Sequence, residues 1–371
     1  MGVLSRYLLR FVLTRLAAVL FAIVCFAFLI DLLDASEDLL GRSDSPVRDL
    51  LVYTGLRTPS LLSEILPFAL LLGGLFAATD LIRHRELVAI WNAGLSSAGI
   101  ALRLLPLALL LAVGKYGNDD RLIPASVERL RDWGVGLFSS LGPGRDDRWL
   151  WVAADDTVLR FHARAAREGK LREIAIFRRN AEGLLVERIL AAEAEVREDG
   201  LLLHQVDRRP LGQERSENME SLLVPVHIDL EAVALMTRPA SELSRADLLR
   251  VVAARGFGMQ PIHAHRTWLY HRPAAALAVA LLLLLPFALA RSVRRVGGTT
   301  ALFLRALALG FGYQIGNGLL VALGEGGFLA PTIAAWGAPS LLALTVLGLL
   351  LLGEVEGRRA SAMPAEAARC A

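Results

Sequence analysis

Six apolar runs, each near the length of a bilayer crossing, constrain this chain more than any other feature. They lie at about 11–33, 59–82, 98–116, 268–291, 299–323 and 331–353. A helix needs about 20 predominantly apolar residues to cross the hydrocarbon core. A chain with six such runs cannot close as an ordinary soluble domain. The composition agrees: 54% of the 371 residues are hydrophobic and the mean hydropathy is +0.48. The first run is too long for a signal-peptide core and lacks a small-residue cleavage site, which predicts a retained helix. The fifth run is unusual, because it contains Arg305, Gln314 and Asn317 among several glycines.

Arginine placement predicts the orientation. With the N-terminus inside, the inner segments hold Arg6 and Arg10, then Arg83 and Arg85, then Arg291, Arg294 and Arg295, then Arg358 and Arg359. The short outer loop at 324–330 holds no Lys or Arg. Both termini are therefore expected in the cytoplasm. The stretch at about 117–250 is then outside, and it reads as short strands: WLWVAA, TVLRFHARA, EIAIFRR, LLVERILAAEAEVRE, LLLHQVDRR and SLLVPVHID. Gly, Asn and Asp punctuate them as turns require. Closely spaced short strands suggest a sandwich or jelly roll. Residues 241–256 read as a helix with Ser241 or Ser244 as cap.

The expected fold class is thus an α-helical membrane protein with six transmembrane helices and an inserted, jelly-roll-like all-β domain. The expected division is 1–116 for helices one to three, 117–245 for the β domain, 246–357 for helices four to six, and 358–371 for a tail.

No HExxH, GxSxG or Walker A pattern occurs, so the chain carries no ATPase or hydrolase signature of its own. No cofactor motif is present. The pair His263 and His265 lacks a third metal ligand, and the two cysteines, Cys25 and Cys370, have no metal spacing. The net charge of +3 comes without a basic stripe interleaved with aromatics, which excludes a nucleic-acid partner.

Between the second and third runs lies RHRELVAIWNAGLSS, residues 83–97. On a helix, Leu87, Ile90, Trp91, Gly94 and Leu95 share one face, with Arg83, Arg85 and Glu86 at its start. Two readings stand on the residues alone: a membrane-surface helix, or a docking helix for a cytoplasmic partner. Gln314 and Asn317, one turn apart in the fifth run, are expected either to pack helices or to line a gate.

Several stretches resemble the LptF/LptG permeases of lipopolysaccharide export. They are VLSRYLLR at 3–10, LPFALLLGGLFA at 66–77, RELVAIWNAGLSS at 85–97, LWVAADDTVLRF at 150–161 and REIAIFRRNAEGLL at 172–185. The start and the β-domain phrases lean towards LptG. The resemblance implies a permease subunit of an ABC transporter in the bacterial inner membrane. It would pair with a second LptF/LptG-type permease, an LptB-like ATPase dimer, a single-span LptC-like protein and an LptA-like periplasmic carrier, with lipopolysaccharide as cargo. It makes 84–96 the coupling helix, with Arg85, Glu86, Leu87, Ile90, Trp91 and Gly94 as its working residues. It places the lipid gate at helices one and five, around Phe28, Asp31, Asp34, Arg42, Gln314 and Asn317. One departure stands out. The family carries Lys or Arg near the outer end of helix one, where this chain has Asp31, Asp34, Glu37 and Asp38, with Arg42, Arg48 and Arg57 further on. A permease of another lipid or lipoprotein exporter, or a non-transport envelope scaffold, are the alternatives.

Overall fold

A computed structural model describes residues 2–42, 45–135, 149–154, 156–162, 171–180, 182–197, 199–211, 216–226, 229–254, 260–290 and 298–362. The first half of the membrane body comprises α1 (Val3–Arg42), α2 (Pro46–Arg83), the short α3 (Glu86–Asn92) and α4 (Ser97–Gly117). A five-residue π turn, Asn118–Leu122, joins α4 to α5 (Ile123–Trp133). Six strands follow: β1 (Trp149–Ala154), β2 (Thr157–His162), β3 (Leu171–Arg179), β4 (Leu185–Arg197), β5 (Gly200–Pro210) and β6 (Glu217–Val224). The chain returns through α6 (Leu230–Met236), a 3-10 turn (Ala240–Glu242) and α7 (Arg245–Ala253). Then α8 (Ile262–Ala290), α9 (Gly298–Glu325) and α10 (Pro331–Ala362) complete the body. Six helices are long and apolar enough to cross a membrane. They coincide with the six apolar runs.

The helices extend beyond the apolar runs in two places. First, α1 and α2 reach into 34–58, so the segment between the first two spans is largely helical. Second, α4 continues through the π turn and α5 to Trp133. The physical reason is periodicity. Beyond 117 the apolar run ends, but Ile123, Val127 and Leu130 still recur at helical spacing and are buried, and Pro124 sits where the first turn tolerates it.

Most buried of the spans is α8. Of its most apolar stretch, 78% is buried, against 6% for α1. It packs on α2, α4, α9 and α10. The main core joins Leu8, Val12 and Leu16 of α1 with Leu75 of α2, Leu104 of α4 and Leu283 of α8. Glycines mark the close approaches, Gly73, Gly74, Gly310 and Gly324 among them. A Cβ on Gly73 would sit 2.9 Å from the Leu16 Cα, and one on Gly310 would sit 2.1 Å from the Leu71 Cδ2. Small residues of this kind let membrane helices pack backbone to backbone.

The sheet is antiparallel throughout, and its strand order, β1 to β6, is the chain order. The described strands thus form a meander. Thr157, Leu159 and Phe161 of β2 are buried while the alternate residues are half-buried, as a sheet with one core face requires. Leu150, Leu159, Phe161, Ile176, Ile189 and Leu203 form that core, with Val233 of α6 packed into it. The expected helix at 241–256 is α7. Ser244 is its cap, in a capping box with Asp247.

Candidate functional site

Local geometry isolates α3 from the long helices on either side. Arg85 has φ 59° and Gly94 has φ 87°, so the backbone turns in the left-handed region before and after it. The Ser96 hydroxyl then accepts from the Gly99 N–H at 3.0 Å and opens α4. Leu87 and Ile90 are 1% and 7% exposed and belong to the main core. Trp91 and Leu95 are half-buried against the same core. The apolar face therefore anchors α3 to its own bundle. Arg85, Val88, Ala89, Asn92, Ala93 and Gly94 form the exposed side. Glu86 is half-buried, and its carboxylate accepts from the Tyr7 hydroxyl at 2.6 Å. This bond spans 79 positions and ties α3 to the start of α1. A second tie follows about two helical turns further along α1, where Arg15 pairs with Asp80 of α2 at 2.8 Å.

At the opposite end of the bundle, α2, α4, α5, α8, α9 and the 3-10 turn surround a cavity of about 350 Å³. Gln314 and Asn317 both line it, and the Asn317 Oδ1 is buried without a hydrogen-bond partner. The Lys115 ammonium donates to the Ser63 Oγ at 2.5 Å and the Asp119 Oδ2 at 2.6 Å. Arg272, 3% exposed, donates to the Asp119 carbonyl at 2.6 Å and the Asp120 Oδ1 at 3.1 Å. It also donates to the carbonyls of Ser241, at 3.4 Å, and Leu243. A charge taken out of water is tolerated only when paired and hydrogen-bonded. Arg272 meets that demand with groups from both chain segments that lead to and from the sheet. The π turn is what presents Asp119 and Asp120 to it. Beside it, Arg131 of α5 pairs with Glu242 at 2.6 Å. Glu64 also lines the cavity and is exposed.

The model of the lipopolysaccharide export system permeases LptF/LptG matches residues 6–352. The chain belongs to the LptF/LptG family. Among curated proteins, the lipopolysaccharide export system permease protein LptG of Haemophilus influenzae is 25% identical over 359 residues, covering 94% of this chain and 98% of that protein. Family membership and the six spans make this a multi-pass membrane protein and a permease subunit of lipopolysaccharide export, a transporter component.

The acidic C-terminal end of α1, a departure from the LptF/LptG pattern, is partly paired. The Asp31 carboxylate accepts from the Arg57 Nε at 2.8 Å and the Tyr53 hydroxyl at 2.9 Å. Asp31 is thus neutralised, and Arg57, which lines the cavity, is held by it. Asp34 is exposed and Phe28 half-buried, and neither lines the cavity. The side chains of Arg42, Glu37 and Asp38 lie outside the described residues. Of the six gate residues expected from sequence, Gln314 and Asn317 line the cavity and Asp31 reaches it through Arg57.

Sequence reasoning passed over Tyr7, Lys115, Asp119 and Arg272. The signal for the last three was present. GKYGNDDR and YHRP put charge at the ends of two apolar runs, where snorkelling to the interface is the ordinary explanation. Among the described residues no group of three or more His, Cys, Asp and Glu is placed to hold a metal.

Proposed function

We propose that this chain is one of two permease halves of an ABC transporter in the inner membrane, coupled to ATP hydrolysis through α3. Both termini lie in the cytoplasm in this reading, as the arginine bias requires, and the sheet lies in the periplasm. A cytoplasmic LptB-like ATPase dimer docks on the exposed side of α3, around Arg85, Val88, Asn92 and Gly94. Lipopolysaccharide leaves the outer leaflet between this chain and a second LptF/LptG-type permease, passes the β domain and reaches an LptA-like carrier. An LptC-like single-span protein stands at the gate.

One observation carries the coupling role. The apolar face of α3 is embedded in the core shared by α1, α2, α4 and α8, while Glu86 hydrogen-bonds α1. A push on α3 is therefore transmitted to the packed body and to α1 together, since close-packed cores shift rather than deform. The outward faces of α1 and α9 support the gate role. Phe21, Phe26 and Leu33 of α1, and Ile315 and Leu319 of α9, are exposed, and Gly312, Gly316 and Gly318 have nothing within 4 Å of a Cβ position.

The test is purification of the tagged chain from its host membrane in mild detergent. A copurifying ATP-binding cassette protein and a second six-helix permease are expected, with lipopolysaccharide bound. Their absence across several detergents would remove the coupling reading. The substitution Val88→Asp should release the cassette protein and leave the second permease bound.

A further inference from the structure

The face of the sheet that turns away from its core carries aromatic and arginine residues in register. Across β1 and β2, Trp149 lies opposite His162 and Trp151 opposite Arg160. Phe177 of β3 lies opposite Val158 on one side and Arg188 on the other. Arg188 in turn lies directly opposite Arg209. Directly opposed residues of antiparallel strands share a face, and none of these belongs to the core formed by Leu150, Leu159, Phe161, Ile176 and Ile189. Trp149 and Trp151 are 40% and 44% exposed. The Arg160 guanidinium lies 4.3 Å from the centroid of Trp149 and 5.8 Å from that of Trp151. Trp151 stacks on Phe177 at 5.7 Å.

No described carboxylate pairs with Arg160, Arg188 or Arg209. Asp207, two residues before Arg209, forms no ion pair with either arginine, and its Oδ1 is buried without a partner. The His162 ring lies 3.3 Å from the Glu173 carboxylate at the rim, and Glu193 and Glu195 pair with Arg172 and Arg197. Two arginines directly opposite each other destabilise a sheet, while arginine pairs well with phosphate through parallel N–H···O bonds. The Trp149 ring also lies 3.7 Å from that of His162, and the C–H faces of a sugar ring would stack on the exposed parts of the indoles that His162, Arg160 and Phe177 leave open. Rings and guanidinium groups side by side suit a ligand that is both saccharide and phosphate.

We propose that this face of the sheet, over β1–β5, binds the phosphorylated saccharide headgroup of a membrane lipid. Trp149, Trp151 and Phe177 support the sugar rings, and Arg160, Arg188 and Arg209 hold the phosphates. This rests on the export reading above and adds where the headgroup travels while the sheet carries the lipid.

The test uses the full chain with its assembled partners in lipid nanodiscs, and a photo-crosslinking phenylalanine analogue at Val158, on the same face beside Phe177. The probes are purified lipopolysaccharide, the same lipid stripped of its phosphates, and free glucosamine 6-phosphate as competitor. Crosslinking to intact lipopolysaccharide is expected. It should fall about tenfold or more with Arg188→Gln/Arg209→Gln, as loss of two charge-assisted contacts implies, and comparably with the dephosphorylated lipid. Arg188→Lys/Arg209→Lys should retain part of it, and free sugar phosphate should not compete. Arg209→Gln alone, at an exposed position, provides a variant whose folding is secure. Crosslinking indifferent to arginine and phosphate, capture of a protein in place of lipid, or full competition by the free sugar phosphate would each overturn the proposal. ATP-driven lipid release is measured in the same sample. Release without headgroup crosslinking defeats this inference alone, whereas no release by the unaltered complex defeats the export reading.

Discussion

Tyr7 and Glu86 show how much one hydrogen bond can decide. The bond is partly exposed, so its net contribution to stability is small, about 0.5–1.5 kcal/mol. Its place between α1 and α3 is what matters. Tyr7→Phe should leave the thermal midpoint in detergent nearly unchanged while lowering ATP-driven lipid release, with ATP hydrolysis preserved. Arg272 is the opposite case. Arg272→Met leaves Asp120, which still accepts from the Arg245 N–H, without its cationic partner and removes a donor from the backbone carbonyls of Asp119, Ser241 and Leu243, and breaking a buried pair of this kind costs about 3–5 kcal/mol. A drop of several degrees in thermal midpoint is the expected result, read by unfolding in detergent. Asp31 and Arg57 form a pair at the edge of the same cavity, each about a tenth exposed. Asp31→Asn should destabilise more than Asp31→Asn/Arg57→Gln, because the single change strands a buried cation; a double loss equal to the sum of the Asp31→Asn and Arg57→Gln losses would show that the pair is uncoupled. Gln314 and Asn317 were legible in the sequence, because a polar side chain deep in an apolar run asks for a polar neighbourhood. Tyr7 was not, since its partner is 79 positions away and nothing in the local pattern joins the two.

Among the elements, α3 was legible as a helix and as amphipathic, and its bounds at Arg85 and Gly94 follow from backbone geometry that those residues adopt. Which face meets which neighbour was not legible. Helical spacing groups Leu87, Ile90 and Trp91 but does not tell an intramolecular anchor from a docking surface, and the structure makes them the anchor. Leu87→Ala should therefore cost about 2–5 kcal/mol as a buried large-to-small change and detach α3 from the body. The first five strands were legible from their apolar runs and turns, whereas β6 begins at Glu217, four residues before the expected SLLVPVHID run, and ends at Val224, because its burial pattern does not alternate. The continuation of α4 to Trp133 was masked by the polar stretch Asn118–Arg121, which reads as a loop and is a π turn. Helices α1 and α2 meet at Gly73. Gly73→Val would bring side-chain atoms against the Leu16 backbone and push α1 outward, an overpacking change of about 1–3 kcal/mol, measurable as a lower thermal midpoint.

For the molecule as a whole, the bundle has one buried centre, α8, and open apolar outward faces on α1, α4, α9 and α10, with α1 the least buried span. Held at Tyr7–Glu86, Arg15–Asp80, Leu16–Gly73 and Asp31–Arg57, α1 is tied along its whole length to the first half of the body. On the other side of the sheet insertion, Arg272 and Arg131 clamp the incoming and outgoing segments together at the cavity. Movement entering at α3 thus has a continuous packed route to α1 and, through the body, to the segments that carry the sheet. The central claim is that ATP-driven movement enters at the exposed side of α3. Its most direct test is ATP-dependent release of lipopolysaccharide from vesicles holding this chain with the proposed ATPase and second permease, comparing the unaltered chain with Val88→Asp. Val88 is 45% exposed, so the change leaves the core intact. The account predicts an intact, membrane-inserted chain whose lipid release is lost together with ATPase binding. Release at the unaltered rate would contradict it.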